Sequence, residues 1–134
     1  MAAGPKLDGP GTVRIVALKE AQMKMAAVHS MVERMAGEVK NGKGIGPMGM
    51  QLKRLMVPMI GQLKSQFQLI SDQLVGMNLI SGKGGADALK IKMYREAVAN
   101  VRTQIEIAIV QTIDKHAVHD EAAEARQKER DAKE

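Results

Sequence analysis

The side chains able to do chemistry are few and scattered. Three histidines, His29, His116 and His119, are accompanied by no cysteine, which excludes thiolate nucleophiles, disulfides and cysteine-based metal sites. His116 and His119 stand three residues apart with Asp120 beside them, so one helix face offers two imidazoles and a carboxylate. No second cluster completes a ligand set, and His29 with Glu33 one turn later reads as a surface pair. Hydroxyl side chains are sparse, and no nucleophile, base and orienting acid share a spacing that would bring them together. We therefore expect no catalytic residue, no resident metal and no cofactor.

Two glycine-rich stretches resemble phosphate loops. Gly44-Ile45-Gly46-Pro47-Met48-Gly49 matches G-x-G-x-x-G literally, and Gly82-Lys83-Gly84-Gly85 has the look of a second. That chemistry requires a preceding strand and a βαβ unit; here a helical pattern precedes each, so both read as interhelical turns. The 11 methionines include two groups, Met23, Met25, Met31, Met35 and Met48, Met50, Met56, Met59, whose thioethers suit Cu(I). Met25, Met35, Met56 and Met59 fall on apolar stripes, so core filling accounts for them.

Charge is the stronger signal. From Val39 to Ser71 there is no acid, while Lys40, Lys43, Lys53, Arg54 and Lys64 supply positive charge; Lys83, Lys90, Lys92 and Arg95 follow against Asp87 alone. With a formal net charge of +5, these residues suit phosphates of nucleic acid or an anionic surface, without the aromatics that single-strand readers stack on bases. The bland counterpart is a solvated basic surface.

These residues are carried on three apolar periodicities. Leu18, Ala21, Met25, Val28, Val32, Met35 and Val39 alternate three and four apart, which predicts a helix over about 12–40 with Thr12 as its N-cap. Leu52, Met56, Met59, Leu63, Phe67, Ile70, Leu74 and Met77 predict a second helix over about 49–80, kinked or broken near Pro58. Ile91, Tyr94, Val98, Val101, Ile105, Ile109 and Ile113 predict a third over about 87–119, capped by Asp87. Residues 1–11, with three Gly and two Pro, read as a flexible leader; residues 120–134, with six acids, four bases and no large apolar side chain, read as a charged extension or tail.

The expected fold is all-α, an antiparallel up-down-up bundle of three long helices over 12–119. One Phe, one Tyr and no Trp fit a slender core. Ile107 and Val110 lie off the main stripe of the third helix, which points to completion by oligomerisation. Ile105, Ile107, Ile109 and Val110, with Met56 and Met59, are the expected interface. The leading expectation is a non-enzymatic structural or interaction module that self-associates or docks a partner helix. The alternatives are phosphate binding through Lys40, Lys43, Lys53, Arg54 and Lys64, or attachment to an anionic membrane. No stretch approaches a membrane span or a signal peptide, and the expected location is cytoplasmic.

Overall fold

The computed structural model describes residues 6–82 and 85–118 and is all-helical. Helix α1 spans Gly9–Lys40, α2 Gly46–Leu63, α3 Gln68–Asn78 and α4 Asp87–His116, with one 3-10 turn at Ile80–Gly82. The expected second helix is thus two helices, and they fold back on each other. The Ser71 hydroxyl donates to the Ile60 carbonyl at 3.2 Å, a contact that a straight helix, with about 16 Å of rise between the two residues, forbids.

This reversal changes the topology. Leu7 pairs antiparallel with Ala117 at one end of the molecule, and Arg95 meets Glu33 toward the other, so α1 and α4 run in opposite directions. The helices alternate up-down-up-down, and the expected three-helix up-down-up arrangement is corrected to four. Packing runs around the bundle from α1 to α2, α2 to α3, α3 to α4 and α4 back to α1. The tertiary gain explains the fold-back: Leu52, Met56, Met59 and Leu63 of α2 and Ile70, Leu74 and Met77 of α3 are all buried in one core with the stripes of α1 and α4. Each fully buried side chain of this kind contributes roughly 1.5–3 kcal/mol. Lys64, Ser65 and Gln66 make the turn, and Phe67 leaves the helical region with φ −134° and ψ 60°.

Pro58, the expected site of a kink or break, lies inside an uninterrupted α2. It occupies the exposed side of the helix, where water is at hand for the carbonyl that its ring deprives of a donor. Helix α1 starts earlier than expected as well. Asp8, not Thr12, is the N-cap of α1: its carboxylate accepts the Gly11 N–H at 2.7 Å, and Pro10 sits in the first turn, where a missing N–H costs nothing. Residues 6–11 of the expected leader therefore belong to the fold, while 1–5 lie outside the described residues. Ala86, not Asp87, is the N-cap of α4, and that helix ends at His116. The tail 120–134 lies outside the described residues.

Helix α1 ends in a Schellman turn. The Lys43 N–H donates to the Glu38 carbonyl at 2.8 Å and the Gly42 N–H to Val39 at 3.0 Å, with Gly42 at φ +78°, a conformation suited to glycine.

Candidate functional site

Two surfaces gather the polar and exposed apolar side chains. The first lies at the end where α1 stops and both α2 and α4 begin. Because α3 has 11 residues against the 18 of α2, it stops short of this end and leaves a hollow of about 350 Å³ between the first turns of α2 and α4. Its walls include Ile45, Gly46 and Gly49 from the G-x-G-x-x-G stretch, with Lys53, Asp87 and Lys90. Neither helix start has a side-chain cap, so first-turn N–H groups add positive potential there. In a three-helix bundle the two basic clusters would lie at opposite ends; the reversal at 64–67 brings Lys53 and Lys90 to one hollow.

The basic residues expected to meet phosphates are all exposed. Lys43 lies 3.6 Å from Glu38, whereas Lys40, Lys53, Arg54 and Lys64 form no ion pair with a described residue. Lys53, Arg54 and Lys64 share the outward face of α2 with Met50 and Val57, which are 60% and 51% exposed. Lys83 lies outside the described residues. Arg95 is engaged elsewhere: its guanidinium grips Glu33 with two hydrogen bonds of 2.9 and 2.8 Å. That bidentate contact holds the Glu33 carboxyl below its ordinary range and raises Arg95. Glu33 thus answers to α4 in place of the expected His29 pair.

The expected interface divides. Ile105, Met56 and Met59 are core residues with 0–1% exposure, and Ile109 is half-buried against that core. Only Ile107 and Val110 present substantial surface, at 41% and 59%. Ile107 faces Leu69 of α3 across a shallow groove of about 220 Å³ that also takes in Phe67 and Ala108. Leu69, 58% exposed, was absent from the sequence-based set because it lies off the stripe of the helix predicted over 49–80.

The second surface is at the elbow end. Residues 6–8 and 116–118 are laced together: the Asp8 N–H donates to the His116 carbonyl at 3.0 Å and the Val118 N–H to Lys6 at 2.8 Å. His116 Nδ1 lies 3.0 and 3.1 Å from the two Asp8 oxygens, and Nε2 meets the Arg14 guanidinium. A guanidinium only donates, so Nε2 accepts and the ring proton sits on Nδ1, facing Asp8. The Gly11 N–H, then His116, hold the Asp8 carboxyl below its usual 3.8. Gly11 has no room for a side chain: a Cβ there would overlap His116 Cβ and stand 2.9 Å from Cγ. His116 therefore fastens the ends of the fold, a role that its spacing from His119 does not suggest. His119 and Asp120 lie outside the described residues. Among the described residues no three His, Asp or Glu side chains gather as a metal site, and no helix is long and apolar enough to cross a membrane. No protein-family model matches the chain, and no curated protein and no solved structure is significantly similar to it.

Proposed function

We propose that this chain is a non-enzymatic helical binding module whose working surface is the basic edge formed by the α1–α2 turn and the outward face of α2. There Lys40, Lys43, Lys53, Arg54 and Lys64 hold successive phosphates of a nucleic-acid strand. One observation carries the reading: the reversal at 64–67 places the starts of α2 and α4, with Lys53 and Lys90, around one hollow beside an exposed row of cations of which Lys40, Lys53, Arg54 and Lys64 form no ion pair with a described residue and Lys43 alone meets an acid, Glu38. With one Phe and one Tyr in the chain, binding rests on backbone charge and not on base stacking, so it is indifferent to sequence and steeply dependent on salt. A labelled mixed-sequence duplex titrated across a salt series tests it, with anionic vesicles as a parallel arm. Absence of duplex binding at low salt, or binding that salt does not weaken, removes the proposal; tighter binding to vesicles transfers the same surface to a membrane.

A second reading, self-association, is supported by the exposure of Ile107 and Leu69 on one groove, with Val110 exposed one turn further along α4. In that reading two copies bury this groove against each other and complete the bundle as an oligomer. Sedimentation at micromolar concentration discriminates: assembly that Ile107→Asp abolishes, with helicity retained, supports it, and a monomer throughout removes it.

A further inference from the structure

The elbow leaves a second hollow, of about 250 Å³, between the turn at 64–67 and the final turns of α4, with Arg14 of α1 at its side. Its polar walls are Arg14, Lys115, Gln66, Gln111, Thr112 and His116, and Phe67 with Ala108 forms an apolar wall. The Gln66 and Gln111 amides and the Thr112 hydroxyl can each donate a hydrogen bond, while both His116 ring nitrogens are engaged by Asp8 and Arg14. The charges are unevenly matched. Asp8, the nearby acid, directs its oxygens to the Gly11 N–H and to His116 Nδ1. Arg14 spends one N–H on His116 Nε2 and forms no ion pair with a carboxylate among the described residues. A half-buried guanidinium with donors to spare, and Lys115 beside it, leave the hollow with surplus positive charge.

The geometry points to a binding site for a small organic carboxylate, its planar head taken by the Arg14 fork and the Gln66 and Gln111 amides, its carbon body laid on Phe67. The fork geometry of guanidinium suits a carboxylate or a phosphate equally. The apolar wall and the modest surplus of charge select a monoanion with a carbon body over a phosphate dianion. The groove that reaches Leu69 and Ile107 shares Gln66, Phe67, Ala108 and Gln111 with this hollow, so a longer apolar body continues into it. Of the cations proposed for nucleic acid only Lys64 belongs to the turn that walls this hollow, and it does not line it, so the site stands or falls separately from that reading.

Titration of the isotope-labelled full chain with benzoate, octanoate and inorganic phosphate, followed by amide NMR, tests the assignment. Benzoate and octanoate are expected to shift the Gln66 and Gln111 side-chain amides and the Phe67 backbone amide saturably at millimolar concentration, with phosphate clearly weaker. Arg14→Met should weaken benzoate at least about tenfold, as loss of a charge-assisted pair does. Arg34→Met, at an exposed position toward the other end of α1, should leave benzoate binding unchanged. Since Arg14 also touches His116, Gln111→Leu provides a variant that spares that contact, and it too should weaken binding. Failure of every probe to saturate, equal binding of phosphate and benzoate, or unchanged affinity in both Arg14→Met and Gln111→Leu overturns the proposal.

Discussion

Replacing Lys53, Arg54 and Lys64 together with glutamine removes three of the five cations assigned to phosphate contact. All three side chains are exposed and form no ion pair with a described residue, so the substitutions leave the core untouched. Each phosphate neutralised contributes roughly −0.9 to the slope of log affinity against log salt, so five contacts give about −4.5 and two about −1.8. Raising salt from about 50 to about 200 mM then weakens the native chain roughly 500-fold and the triple variant roughly 12-fold. The first figure is an upper one, since Lys43 is shared with Glu38. Fluorescence anisotropy of a labelled duplex at stepped salt measures both slopes, with circular dichroism verifying that helicity is equal. A triple variant that keeps the native slope would refute the assignment of these residues. A native slope near zero would refute the phosphate reading itself, and dependence on duplex sequence would show that charge is not the main determinant.

Other outcomes follow from the same geometry. Gly11→Ala forces a methyl into His116 and should cost about 1–3 kcal/mol, the usual cost of overpacking, read as a fall in melting temperature. Pro58→Ala restores a backbone donor inside α2 and should stabilise the chain by up to about 3 kcal/mol; a lower melting temperature would contradict an uninterrupted α2. Ile105→Ala, at a position with no exposure, should cost about 2–5 kcal/mol and leave the oligomeric state alone, while Ile107→Asp should do the reverse if copies associate. The Asp8 carboxyl lies below its ordinary 3.8 in the folded chain, so its contribution is present above that pH and is lost as pH falls through the lowered value. Asp8→Asn should accordingly flatten the acid limb of a plot of melting temperature against pH, and an unchanged limb would count against the Asp8–Gly11–His116 contacts.

Helical character and the core were legible in the sequence because apolar spacing reports directly on which residues face inward. Leu18 to Met35 and Ile91 to Ile105 are buried as the spacing requires. Beyond Ile105 the buried line of α4 keeps its strict alternation of three and four through Ala108 and Thr112, and Ile109 and Ile113 fall to its flank. Side-chain size and periodicity part company there, since the larger Ile109 and Ile113 stand off the line that burial keeps. The reversal at 64–67 was hidden for a different reason: Leu63, Phe67 and Ile70 are as well spaced for one straight helix as for two. Lys64-Ser65-Gln66 carries neither Gly nor Pro, so the choice rests on burial across the whole bundle. Pro58 carried the local signal and made no break, because propensity is outweighed by packing. The reversal also shapes the site, since helix direction decides whether the two basic clusters meet. Arg14, Gln66 and His116 are far apart in the chain, and only the fold-back and the pairing of α1 with α4 unite them.

That pairing also orders events in time. The α2–α3 hairpin is built from neighbours in the chain and needs only a short loop, whereas α1 finds its most extensive partner in α4, the last of the described helices. During synthesis the line from Leu18 to Met35 lacks its most extensive partner until α4 has left the ribosome. Over that interval the burial of the α1 stripe is incomplete, and a chain halted within α4 would display that apolar line to chaperones or to other nascent chains.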